Sequence, residues 1–228
     1  MCISYAGGMQ ITHLGHAAVL VEVADRRILF DPGNFTEGWY GLTDLDAICV
    51  THLHPDHIDV ENLHRVLDTS RGARLYVEPG VLASYDLPEG TRPMPADASV
   101  DLGGVRIDAV GGLHAVIHRD IPRIGNVGLV VSAEGEPRFF HPGDCLDAIP
   151  EGIDVLAAPM MGPWAAMKEN VDFLRQVGAP HAFGIHEALL SERGWNLYQR
   201  QYGALTETEV HDLRDREPWT PGNGMLGA

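Results

Sequence analysis

Short apolar segments alternate with Gly- and Pro-bearing turns along the chain, a pattern of strands broken by loops. Residues 9–14 (MQITHL), 17–23 (AAVLVEV) and 27–30 (RILF) read as a strand meander, with Asp25-Arg26 as a hairpin turn and Asp31-Pro32-Gly33 as its end. A loop bearing Gly and aromatic residues spans 34–43, and residues 45–50 form a buried strand. Val60, Leu63, Val66 and Leu67 then fall at helical spacing, with Asp59 as the N-cap of a helix over 60–67. The pattern restarts with a strand at 74–78 and a short helix at 80–85. Strands follow at 100–102, 105–110, 113–118 and 126–132, and residues 138–140 lead into His141-Pro142-Gly143-Asp144. The segment 153–158 is another buried strand, and 165–177 an amphipathic helix with Met167, Val171, Leu174 and Val177 on one face. A short strand at 182–185 and a helix at 195–205 complete the set, between an N-terminal extension (1–8) and an irregular tail (218–228). A run of strands, a polar loop and a helix thus occurs twice. This predicts one α/β domain over 1–228, with two sheets packed face to face and helices outside.

Composition narrows the function. A chain of 228 residues, 45% hydrophobic and 21% charged, can bury a core without disulfide staples. Its three cysteines are odd in number and far apart, which fits a reducing, cytoplasmic compartment. The net charge of −16 argues against a nucleic-acid partner and against anionic lipid. No apolar run reaches membrane-spanning length, and the first residues lack the pattern of a secretory signal. The expected partner is a small-molecule substrate, and the sequence is compatible with a homo-oligomer.

The chemistry concentrates in residues 51–59 (THLHPDHID), with three histidines and two aspartates. In extended chain, residues two apart point to one side, so His52 and His54 aim at one point. Asp56 and His57 follow where the chain turns, and can aim at a second. Imidazole and carboxylate without thiolate suit zinc, and also manganese, iron or nickel. Two such ions roughly 3.5–4 Å apart can hold a hydroxide nucleophile between them, which Asp56 could orient and relieve of its proton.

HLHPDH fits the H-x-H-x-D-H signature of the metallo-β-lactamase superfamily. In the order that family requires there follow His114 after Gly111-Gly112, the pair Gly143-Asp144, and His186 at a late strand end, while Asp31 sits in LFDPG. The resemblance covers residues 9–187 and implies an αββα sandwich, the metallo-β-lactamase fold. It implies that His52, His54 and His114 hold a first divalent ion and Asp56, His57 and His186 a second. Asp144 would bridge both, and Asp31 would brace the ligand loop. The implied activity is hydrolysis of an ester, lactone or phosphodiester bond in a small, anionic substrate, with Zn the first expectation for both ions. Within the superfamily, ITHLGHAAVLVE and RILFDPG resemble the L-ascorbate-6-phosphate lactonase-like branch. One departure is Pro142, where a hydroxyl residue is more usual before the Gly. Two other functions compete: an iron-dependent redox enzyme acting on thiols or persulfides in the same frame, and a non-catalytic metal-binding protein.

Other residues carry two readings each. His118 competes with His114 as a ligand. His16 is either a site-lining residue or a hydrogen-bonded structural one. Trp39, Tyr40 and Trp164 either line a pocket or cap the core. His13, His64, His181 and His211 read as surface or turn residues, Glu187 as an exposed carboxylate at a helix start, and Cys49 and Cys145 as small apolar residues rather than nucleophiles.

Overall fold

The computed structural model describes residues 8–222, so most of the expected N-terminal extension and residues 223–228 of the expected tail lie outside the described residues. The first half contains β1 (Gln10–Gly15), β2 (Ala18–Val23), β3 (Arg26–Phe30), β4 (Ala47–Val50), α1 (His64–Leu67), β5 (Arg74–Val77), α2 (Pro79–Ser84) and β6 (Arg92–Pro93). The second contains β7 (Ser99–Asp101), β8 (Val105–Leu113), β9 (Gly125–Ala133), β10 (Phe139–His141), β11 (Val155–Pro159), α3 (Met167–Val177), β12 (His181–Ile185), α4 (Glu192–Leu205) and β13 (Glu209–His211). Strands β1 to β6 form one sheet in sequence order. The other runs β13-β12-β11-β10-β9-β8-β7. The expected α/β sandwich is therefore the observed architecture.

Its layers follow from which faces are apolar. In β4, Ala47 and Cys49 pack into the core between the sheets, while Ile48 and Val50 face the cluster under α1 and α2. A strand covered on both faces has no polar positions to alternate with, which is why residues 47–50 read as one apolar run. Phe30, Phe139 and Phe183 fill the layer between the sheets. Under α3 and α4 lies a third cluster, in which Phe140 of β10 meets Phe173 of α3.

Several boundaries differ from the sequence reading for local reasons. The helix expected over 60–67 is helical only at His64–Leu67. Asp59 nonetheless caps the preceding turn, because its Oδ1 accepts from Asn62 N at 3.2 Å. The strand expected at 113–118 does not form. β8 ends at Leu113 and the chain leaves the sheet at His114, whose N bonds to Ile124 O and whose neighbour Ala115 N bonds to Asp144 O. Gly111 and Gly112 are strand residues, although both take positive φ. The tail is less irregular than expected, since Trp219 N and O pair with the backbone of Ile11 at 2.9 and 2.8 Å. Among the described residues no helix is long and apolar enough to cross a membrane.

Phe139 is fully buried between the sheets. Phe139→Ala is expected to cost about 3–5 kcal/mol in urea unfolding. Leu197→Ala, on the exposed side of α4, should cost less than about 0.5 kcal/mol.

Candidate functional site

The site forms where strands of both sheets end at one edge. β3 runs into Asp31, β4 into residues 51–59, β8 releases His114, β10 runs into Asp144, and β12 into His186. Two of these junctions, and the turn between β1 and β2, are strained. Asp31, His16 and His186 adopt φ of 44°, 52° and 65°, a region that favours glycine. Each costs on the order of 1 kcal/mol, which the surrounding contacts must offset.

Asp31 is fully buried and organises the loop behind the site. Its Oδ1 accepts from Thr51 N at 2.8 Å, and its Oδ2 accepts from Thr51 Oγ1 at 2.7 Å and from His57 Nδ1 at 2.6 Å. Thr51 Oγ1, having spent its proton on Asp31, accepts from His52 Nδ1 at 3.1 Å. His114 Nδ1 donates to Ala115 O at 2.7 Å. The back faces of His52, His57 and His114 therefore hold the ring protons, and their Nε2 lone pairs point inward.

What they point at is Asp144. His114 Nε2 lies 3.1 Å and His52 Nε2 3.7 Å from Asp144 Oδ2. His57 Nε2 and His186 Nε2 both lie 3.0 Å from Asp144 Oδ1. His54 Nδ1 is 3.0 Å from His52 Nε2. The carboxylate thus has one oxygen toward each of two nitrogen groups. His52, His54, His114 and Asp144 form one set with all donor atoms within 4.8 Å, and His16, His57 and His186 form another.

Inward lone pairs facing a buried carboxylate repel unless positive charge lies among them. The titration behaviour expresses that demand. Burial opposes charge on His57, yet Asp144 and Asp31 outweigh it and hold His57 well above the usual imidazole range. Burial likewise opposes ionisation of Asp144, but His57, His186 and His52 hold it well below the carboxylate range. Asp144 Oδ1 also lacks an aligned hydrogen bond despite its two near neighbours. The donor set fits divalent cations, which would replace the proton on His57.

Six of the seven expected ligands converge directly in these two sets. Asp56 stands at their margin, because its Oδ2 accepts from His16 Nε2 at 2.9 Å and is 3.8 Å from His57 Nε2. Burial pushes its carboxyl up, but the His16 hydrogen bond and His57 outweigh this and hold it at about 2. His118 is exposed and bonds locally to Asp120 N, so His114 is the one that reaches the site.

Further histidines and one carboxylate take definite places around the site, and His13 and Glu187 differ from expectation. His16 is a buried site residue with no hydrogen-bond partner for Nδ1. His13 is buried, not at the surface, with Nε2 3.0 Å from His16 O. Glu187 is largely buried and accepts from His16 N at 2.8 Å. His16 O in turn accepts from His186 N at 3.1 Å. These contacts fix the His16 turn against the His186 turn. His141 is buried and structural, donating to Ala17 O at 2.9 Å. Asn126 escaped the sequence reading altogether. Its Nδ2 donates to Pro142 O and its Oδ1 accepts from Asp144 N, both at 3.0 Å. It braces the Asp144 loop in place of the hydroxyl that Pro142 lacks. A single Asn heading the apolar run NVGLVV was its only signal. Gly143 is required there, at φ 58°, because a Cβ would lie 2.4 Å from Asn126 Oδ1.

A cleft of about 130 Å³ opens over the site, lined by His54, Asp56, Asp144 and His186 on the polar side and by Trp164 and Leu189 on the apolar side. The Trp164 ring lies 6.0 Å from that of His114 and 5.7 Å from that of His186. Trp39 instead caps the core, with Nε1 donating to Gly33 O. Tyr40 bonds Asp59 Oδ2. Cys49 and Cys145 are buried free thiols, pushed up by burial, which bears out their reading as apolar residues.

The model of the β-lactamase superfamily domain matches residues 10–186, which include every residue of this site except Glu187 and Leu189. Protein Rv0786c of Mycobacterium tuberculosis is 42% identical over 207 residues, 90% of this chain and 95% of that protein. A UPF0173 metal-dependent hydrolase of Xanthobacter autotrophicus is 32% identical over 153 residues, 60% of this chain and 62% of that one. The solved metallo-beta-lactamase fold protein YhfI of Bacillus subtilis shares the fold at a TM-score of 0.71 and 14% identity, covering 93% of this chain and 99% of that one. With the family model matched over most of its length and the two histidine sets around Asp144 in place, this chain belongs to the metallo-β-lactamase superfamily.

Proposed function

We propose that this metal-dependent hydrolase of the metallo-β-lactamase superfamily uses two divalent ions to cleave a small ester or lactone. The observation that carries the reading is Asp144, with one oxygen toward each nitrogen group. His52, His54 and His114 would hold one ion, Asp56, His57 and His186 the other, and Asp144 both. Zinc is the first metal to test, with manganese second. Bound there, such ions supply a water nucleophilic at neutral pH and neutralise charge developing on the attacked carbonyl.

The chain's own residues have defined parts. Asp56 lines the cleft and remains ionised, so it can orient a water and take its proton. His16 is a positioning residue, because its Nε2 donor holds the Asp56 carboxylate in place. Trp164, Met161 and Leu189 give the cleft an apolar wall that excludes bulk water and can take an apolar substrate flank.

Arg123 donates to His114 O and pairs with Asp147, and Arg119 is almost fully exposed beside Asp120. Neither lines the cleft. Recognition of an anion would therefore rest on the ions alone, which favours neutral esters and lactones over phosphodiesters. The lactonase-like character of the opening strands makes lactones the first class to assay.

Five outcomes are expected. A panel of lactones, esters, thioesters and phosphodiesters, run with Zn and with Mn, should show metal-restored turnover of a lactone or ester. Metal-free and metal-loaded protein behaving alike across the panel would refute the reading. Asp56→Ala should lower kcat at least 100-fold while metal analysis still finds bound ions. His16→Ala should lower kcat about 10- to 100-fold with KM little changed, and His16→Gln, which keeps a donor, should recover part of it. Asp31→Asn should weaken metal affinity about 10- to 100-fold in a chelator competition. A chelator should also lower the Tm of the loaded protein, since the unfolded chain has no preformed site.

A further inference from the structure

His181 and His211 carry no ligand-like signal in the sequence, being thirty residues apart with no histidine neighbours in register. The parallel pairing of β12 with β13 changes that. His181 pairs with Glu209, and Phe183 with His211. Residues 209 and 211 lie on one side of their strand, so both side chains reach the imidazole of His181.

The three donor atoms form a compact triangle. His181 Nδ1 and His211 Nε2 are 3.1 Å apart, and Glu209 Oε2 lies 3.6 Å from the first and 4.0 Å from the second. The point equidistant from atoms at these separations is about 2.1 Å from each. Zinc binds imidazole nitrogen and carboxylate oxygen at about 2.0–2.2 Å. Without an ion, one ring proton can satisfy the contact between the two nitrogens, but the carboxylate stays beyond hydrogen-bond distance of both.

The surroundings fit a structural role. Both imidazoles are about four-fifths buried, whereas Glu209 faces solvent, which leaves room for water ligands. The Trp219 ring packs on His211 at 4.5 Å and lies 6.0 Å from that of His181. Trp219 also bonds the backbone of Ile11 in β1. The triangle therefore sits where the edge strand of one sheet, β13, meets the segment bound to the edge strand of the other, β1.

We infer that His181, Glu209 and His211 form a further divalent-metal site of the zinc, nickel or copper class, separate from the hydrolytic centre, whose ion ties β13 and the Trp219 segment to β12. It goes beyond the hydrolytic reading and does not depend on it.

The test is zinc uptake by metal-depleted full-length protein, measured by equilibrium dialysis with metal analysis. The wild type should bind one equivalent more than the His181→Ala/His211→Ala double variant, in which every ligand of the hydrolytic centre is intact. Glu209→Gln should weaken that equivalent at least tenfold and should not perturb folding, because its side chain is exposed. Equal uptake by wild type and a double variant with unchanged circular dichroism would overturn the site and leave a hydrogen-bonded histidine pair. The readout is a difference between proteins, so it holds whether the hydrolytic centre takes two ions, one or none.

Discussion

A buried carboxylate surrounded by imidazole lone pairs is the constraint around which this molecule is built. Asp144 is almost wholly buried, and four Nε2 atoms lie within 3.7 Å of its oxygens. In a low-dielectric setting such an arrangement is unstable without positive charge among the donors. The raised pKa of His57 and the depressed one of Asp144 are the proton's version of that charge. Divalent cations meet the same demand more completely, and they bring the chemistry of hydrolysis with them.

The rest of the site keeps those lone pairs aimed. Asp31, itself without solvent contact, receives Thr51 and His57 and so fixes the tautomers of two rings. Asn126 performs the same service for the Asp144 loop, and Glu187 with His13 for the His16 turn. Positive φ at Asp31, His16 and His186 shows that the backbone is bent out of its easier conformations to bring these side chains inward. Strain of this kind survives only where many contacts hold it, and here the contacts come from both sheets.

The cleft joins two kinds of surface. Its lining combines His54, Asp56, Asp144 and His186 with Trp164, Met161 and Leu189, and the arginines pair with Asp147 and Asp120. The His181 triangle lies on the opposite strand termini of the same sheet, since His181 begins β12 and His186 follows its end. A metal there would act on the stability of the sheet edges rather than on the reaction.

The sequence by itself determined most of the strands, the alternation of layers and most of the residues that gather around Asp144. Strands buried on both faces are visible as apolar runs, and β4 is the clearest. Residues 51–59 stood out because they concentrate donor types that are otherwise spread thinly along a chain. The sequence also placed His114, Asp144 and His186 in order, though the choice of His114 over His118 waited on where β8 releases the chain. Only the tertiary structure decided the parts of His16, Glu187, Asn126 and the His181 triangle. Their partners lie 171 residues away for His16 with Glu187, 18 for Asn126 with Asp144, and 30 for His181 with His211. Local pattern carries no record of such pairings, because strand register and burial, not spacing along the chain, bring the groups together.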